Sequence, residues 1–489
     1  MAGIGVKLNQ IYGKNTLITN IVGMGYSVVV TIAPMLVVMA VLVIMQQLLG
    51  FSDLSYAQKD LFSCTVLYIF IFGMLTVAPF NSVISRYLSD VIYDENYGDI
   101  LPCYYMGMFL HVVLACLLGI PFCLWEYFVG NVEFYYVFAG YCGYFLLILV
   151  FYSMSYLSVL KDYGKISYFF FLGMVLSLLL SLIFVEWMYW EVTIAMLVAL
   201  DIGLLLIAAL EFSVIRSYFK VNSGHYREVL RYFRKYWQLM VTNFLYVLGM
   251  CVHNFVFWTT DLRTVVANTF VYSFPYDMAT CIAMFTNLSA SIIFISRVEM
   301  HFHERYKAYS EAVIGGRGMD IELAKKRMFR QLSRELMNLS RVQFMISLVL
   351  YFLFMFLLPR FGFGGLTIRI YPCLAAGYFI MYLMYAEILF LYYFNDLTGS
   401  VLTSIVFVLS TWISAILATH LSDIWYGMGM TIGAFLGWTT AYIRLRWIEN
   451  HFDEHVFCQG NLLKHKHEKC PPWKVFDRYE QNTKEKKEG

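Results

Sequence analysis

The sequence predicts an all-α polytopic membrane protein: twelve transmembrane helices arranged as two six-helix bundles. Three observations predict it. Sixty per cent of the 489 residues are hydrophobic and only 14% are charged, with a mean hydropathy of +0.65. That is too little charge to cover a soluble protein of this length. Apolar segments long enough to cross a hydrocarbon core of about 30 Å recur along the whole chain. Between the sixth and the seventh lies RSYFKVNSGHYREVLRYFRKY (216–236), in which Arg216, Lys220, Arg227, Arg231, Arg234 and Lys235 face the single acid Glu228. A basic connector between equal halves places any transported solute between them.

The predicted domains are an N-terminal bundle (1–215), the connector (216–236), a C-terminal bundle (237–443) and a basic tail (444–489). Span 1, Asn20–Leu49, carries no charge and contains Pro34, which predicts a kink. No cleavable signal peptide is expected, because this run is too long and no small-residue cleavage site follows it. Spans 2 to 6 are Leu61–Ile84, Leu101–Trp125 with His111, Phe134–Leu160, Ile166–Val185, and Val192–Ile215 with Asp201 and Glu211. Spans 7 and 8 are Trp237–Trp258 and Val271–Ser296, the second with Asp277 and Asn287. Spans 9 to 12 are Val342–Leu358, Pro372–Phe394 with Glu387, Thr398–Ser422 and Ile424–Ile443.

Orientation follows from the loops. With the N-terminus inside, only Lys59, Arg263, Arg360 and Arg369 of the 35 basic residues fall outside, and none falls within a span. Both termini are therefore expected in the cytoplasm. Eight of the ten cysteines lie in or beside spans and the other two in the tail, so no disulfide framework is expected.

A cytoplasmic insertion, 297–341, separates spans 8 and 9. Asp320 is a plausible N-cap, and Ile321, Ala324, Met328, Leu332, Leu336 and Leu339 recur at helical spacing among Lys325, Lys326, Arg327, Arg330 and Arg334. Two readings fit: a helix lying on the anionic inner leaflet, and a docking helix for a cytosolic partner.

Polar groups inside spans are costly and mark candidate sites. Thr31, Asn81, Asn243, Asn254, Asp277 and Asn287 are predicted to line a polar cavity that is nearly free of basic charge, with Arg86 or Lys161 at its inner mouth. Asp201 and Glu387 are expected to form structural hydrogen bonds. Glu211 is expected to pair with Arg216, and His111 and His253 to be satisfied core residues. His451, His455, Cys458, His465, His467 and Cys470 fit no zinc spacing, so neither metal nor cofactor is expected. No nucleophile, base or metal set suggests an enzyme, and no nucleic-acid partner is expected.

Several stretches resemble the PelG family of exopolysaccharide transporters: MAGIG (1–5) with Leu8, Ala33-Pro34, RYLSD (86–90) with Tyr93, Ile100-Leu101-Pro102, YFNDLTG (393–399) and His455-Val456-Phe457-Cys458. The resemblance implies the multidrug/oligosaccharidyl-lipid/polysaccharide exporter (MOP) fold, with two bundles related by a pseudo-twofold axis. It also implies alternating access, with spans 1, 2, 7 and 8 around the cavity. It further implies a complex with a cytosolic Pel glycosyltransferase, a cyclic di-GMP receptor and a scaffolding membrane subunit, and a polymer of N-acetylgalactosamine and glucosamine-type sugars.

Three functions remain: polysaccharide export, flipping of a lipid-linked oligosaccharide, and multidrug or cation antiport. A pyrophosphate-linked substrate favours Arg or Lys in the cavity, and no span carries one. An antiporter wants a coupling acid deep in an inner span, and span 1 has none. Export, in the inner cell membrane, is the favoured reading.

Overall fold

The computed structural model describes residues 17–159, 163–288, 299–360, 364–452 and 454–455. The helices are α1 (Leu17–Leu48), α2 (Tyr56–Tyr93), α3 (Ile100–Phe128), α4 (Phe134–Val159), α5 (Tyr163–Glu186), α6 (Val192–Tyr218) and the connector helix α7 (Tyr226–Lys235). There follow α8 (Trp237–Phe257), a hairpin of β1 (Thr264–Val266) and β2 (Phe270–Tyr272), α9 (Phe274–Asn287), α10 (Glu299–Gly315), α11 (Gly318–Leu357), α12 (Gly365–Tyr393), α13 (Leu397–Ala418) and α14 (Met428–Asn450). The described residues fall into two compact units divided after Tyr442.

Local chemistry sets the helix ends. Ser55 and Gln58 close a capping box at the start of α2, each side chain accepting from the other's backbone N–H. Asn395 takes the left-handed conformation (φ +58°) in the turn between α12 and α13, and the Asp396 carboxylate then caps α13 by accepting from Gly399 N at 3.1 Å. The NDLTG run is thus a tight helix–helix turn.

The second half repeats the pairing of the first. In the first, α1 packs on α5, and α4 on both α2 and α3; in the second, α8 packs on α13, and α12 on both α9 and α11. The halves meet where α2 lies against α8. Backbones approach closely at the α5–α6 crossing, where a Cβ on Gly173 would lie 2.7 Å from the Gly203 carbonyl oxygen and one on Gly203 would lie 2.6 Å from that of Gly173. Without a hydrophobic drive between helices in lipid, such small-residue contacts bring them together.

Among the described residues, nine helices are long and apolar enough to cross a membrane: α2 to α6, α8, and α11 to α13. Helix α1 adds the apolar stretch Ala33–Leu48, with Pro34 buried inside it. Helix α9 is described over 14 residues, and α14 carries Arg444, Arg446 and Glu449 near its end. Nine, and not twelve, is the number the described residues support.

Four sequence expectations change. Val271 and Tyr272 belong to the hairpin, so the eighth span begins only at Phe274; β-branched and aromatic residues around a tight turn made a strand resemble the start of an apolar helix. The insertion's second helix is not separate from span 9, because α11 runs unbroken from Gly318 through Leu357. Asp320 is not the N-cap: the helix starts earlier, and Asp320 reaches back to accept from Arg317 N at 3.2 Å. The apolar stripe of α11 does not lie on lipid either. Met328, Phe329, Leu332 and Leu339 are buried, with α11 packed on α10 and α12. Phe329 stacks on Phe394 at 5.5 Å, and Phe302 of α10 packs edge-on against Phe390 and Phe394. The insertion is a helical hairpin fastened to the end of α12.

Candidate translocation path

Two clusters join the halves at opposite ends of the α2–α8 contact. The first is aromatic. Tyr68 of α2 stacks on Trp258 just after α8, with ring centroids 5.4 Å apart and planes 5° from parallel. It also meets Phe270 of β2 edge-on at 4.9 Å, and its hydroxyl both donates to Val271 O (2.9 Å) and accepts from Val271 N (3.0 Å). Phe72 stacks on Phe255 at 6.2 Å, and Phe122 of α3 packs on Phe270. Each such ring pair contributes about 0.5–1.5 kcal/mol beyond its buried area.

Asp277 holds this clamp in place. Its carboxylate accepts from Trp258 Nε1 (3.0 Å to each oxygen), Asn254 Nδ2 (2.7 Å) and Ser273 N (2.9 Å). It sits in the first turn of α9, where the helix dipole favours an anion. The half-buried acid expected to line a cavity is therefore committed to protein donors.

The second cluster lies at the other end. Arg86 Nη2 donates to Asn395 Oδ1 at 3.0 Å, and its guanidinium lies 4.2 Å from the ring centroid of Tyr236, at the end of the connector. Tyr232 of α7 donates to the Asp90 carboxylate at 2.5 Å, and its ring meets Tyr87 edge-on. The RYLSD and NDLTG runs, far apart in sequence, meet here.

Of the remaining candidates, Asn243 and Asn81 lie between the clusters, and Asn254 belongs to the clamp itself. Asn243 of α8 crosses to α2 by donating to the Ala78 carbonyl at 2.5 Å. Asn81 is half-buried, and its Oδ1 has no partner. Asn254 is buried, with Nδ2 bonded and Oδ1 without a partner. Asn287 is a correction: fully buried, it donates to the Ala283 and Ala375 carbonyls and accepts from Ser347, so its amide seals a helix junction instead of facing a path. The Thr31 side chain, Lys161, and the tail's Cys458, His465, His467 and Cys470 lie outside the described residues.

The other polar groups are buried and unevenly satisfied: His111 Nε2 and one Glu387 carboxylate oxygen have no partner. His253 lies between the Tyr276 hydroxyl (2.9 Å) and the Tyr378 hydroxyl (3.3 Å), and His111 Nδ1 bonds Gly107 O at 2.7 Å. Trp438 donates to Glu387 at 3.1 Å. Asp201 is a correction: its buried Oδ1 has no partner in place of the expected structural hydrogen bond. Glu211 does not pair with Arg216: it is fully buried with both oxygens unpartnered, whereas Arg216 is exposed. At about 100° per residue, five residues turn the two onto different faces.

Sequence reasoning missed Tyr68, Trp258, Phe270 and Asn395. Partners so far apart carry no signal in a single sequence, although NDLTG marked the turn itself.

The helical architecture is that of a multi-pass membrane protein, and comparison with known proteins makes it a transporter rather than an enzyme. Solved structures agree on the fold: an outward-facing MATE family multidrug resistance transporter of the MOP superfamily aligns with TM-score 0.59 at 14% identity, covering 88% of this chain and 96% of the other. An inward-facing MATE transporter aligns with TM-score 0.57 at 12% identity over 81% and 92%, and a MATE protein in the bent conformation with 0.57 at 14% over 85% and 94%. No curated protein sequence matches at a significant level. The family model "PelG: Putative exopolysaccharide Exporter (EPS-E)" matches residues 1–457. The chain belongs to the PelG family.

Proposed function

We propose that this transporter exports Pel-type amino-sugar polysaccharide across the cytoplasmic membrane, along the contact between its halves, by alternate opening of the aromatic clamp and the Arg86–Asn395 latch. The observation that carries this reading is the pair of unpartnered amide oxygens, on Asn81 between the two closures and on Asn254 beside Asp277 in the clamp. An unmet buried acceptor costs about 1–3 kcal/mol, and a sugar hydroxyl is a donor that meets it. No Lys or Arg lies between Tyr68 and Arg86 on α2, or between Trp237 and Trp258 on α8. Such a path suits a neutral amino-sugar chain better than a pyrophosphate-linked one, and aromatic faces give sugar rings a surface to stack on. Family membership supports the Pel assignment.

In this reading both termini, the connector and the α10–α11 hairpin are cytoplasmic. A cytosolic glycosyltransferase, with its cyclic di-GMP receptor and scaffolding subunit, delivers the chain to the latch end. The test is a polymer-producing cell in which this gene carries Asn81→Leu with Asn254→Leu. External polymer should fall at least tenfold while the transporter stays inserted at its normal level. Unchanged external polymer would refute the path.

A further inference from the structure

We propose that Arg305, Arg327, Arg330 and Arg334 form a binding site for a soluble anion carrying two or more phosphate groups. The proposal does not depend on what crosses the membrane. The three arginines of α11 recur at intervals of three and four residues on one face, and α10 supplies the fourth from across the helical hairpin. With Gln331 they line one half-open surface cleft of about 230 Å³. At about 30 Å³ per water this holds roughly eight waters, a volume suited to the nine heavy atoms of a diphosphate.

Among the described residues none of the four guanidiniums has an acidic partner. The nearby lysine of the same stretch does: Lys326 Nζ lies 2.8 Å from Glu322. Gln331 turns its amide to Glu335 at 2.7 Å, leaving the cleft to the cations. Four like charges around one space repel each other, and their planar forks match phosphate oxygens in pairs.

Position argues against a lipid headgroup as the source. The exposed apolar run of α11 starts at Phe344 and continues through Met345, Leu348, Val349 and Phe352. At 1.5 Å per residue, Arg334 lies about 15 Å and Arg327 about 25 Å beyond Phe344 along the helix. The headgroup layer is only about 5–8 Å deep on each side. The cleft therefore opens to water, not to the bilayer surface.

The test is isothermal titration of the full chain in nanodiscs of zwitterionic lipid with pyrophosphate, with orthophosphate in parallel. Pyrophosphate should bind saturably at one site, at least tenfold tighter than orthophosphate. Each of Arg327→Gln, Arg330→Gln and Arg334→Gln should weaken it about tenfold or more, and Lys326→Gln should not. All four positions are exposed, and a monodisperse elution profile checks folding. Absence of saturable binding, or equal affinity in the three variants, would overturn the site. Loss of pyrophosphate binding in nanodiscs containing phosphatidylglycerol would overturn the soluble source and assign the arginines to lipid headgroups.

Discussion

Arg86 and Asn395 are hydrogen-bonded at 3.0 Å across 309 residues of sequence. One guanidinium thereby ties the N-terminal half to the α12–α13 turn and, through Tyr236, to the connector. Asn395 can offer its oxygen there because its own backbone is left-handed, a conformation that Asn tolerates better than most residues.

The latch should show as coupling. In a double-mutant cycle of Arg86→Gln and Asn395→Ala, thermal unfolding in detergent should give an interaction energy of about 1 kcal/mol, because the pair is half-exposed and partly screened. Strictly additive losses would mean that the contact contributes nothing.

The clamp should separate ring from donor. Trp258→Phe keeps a ring against Tyr68 but removes the N–H that Asp277 accepts, at a cost of about 1.5–3 kcal/mol for a hydrogen bond to a charged group. Asp277→Ala should cost more, since it strands the Trp258 and Asn254 donors together. Equal melting temperatures for the two variants would contradict the hub geometry.

The α5–α6 crossing leaves no room for a side chain. Gly203→Ala puts a methyl 2.6 Å from a backbone carbonyl that cannot rotate away, so it should destabilise by about 1–3 kcal/mol or more and lower membrane yield. By contrast, nothing lies within 4 Å of a Cβ built on Gly164, so Gly164→Ala should be neutral. Normal yield of the Gly203 variant would show that the helices can part.

Glu211 should be dispensable for folding. Both its oxygens are buried without partners, so Glu211→Met, similar in size and apolar, should raise stability by about 1–3 kcal/mol. A lower melting temperature would mean that the carboxyl has a partner here unaccounted for.

Periodicity made the helices legible because each apolar run had to match the bilayer, and charge placement set the expected orientation. The hairpin at 264–272 escaped because Val and Tyr satisfy both a strand and an apolar span. The α11 stripe was visible, but its partner was not: whether Met328 and Leu332 meet lipid or protein depends on Phe302 and Phe394, remote in sequence. The candidate asparagines shared one residue type and three fates. Asn287 seals a junction, Asn243 crosses between halves, and Asn81 and Asn254 keep an open acceptor, each decided by which carbonyl or carboxylate lies within 3 Å.

The central claim is that polymer passes between the halves. A photo-crosslinking amino acid placed at Asn81 or Asn254 in polymer-producing cells tests it directly, with exposed Leu117 of α3 as the lipid-facing control. The account predicts polysaccharide covalently attached at Asn81 and Asn254 and none at Leu117. Polymer captured equally at Leu117, or at none of the three while export proceeds, would contradict it.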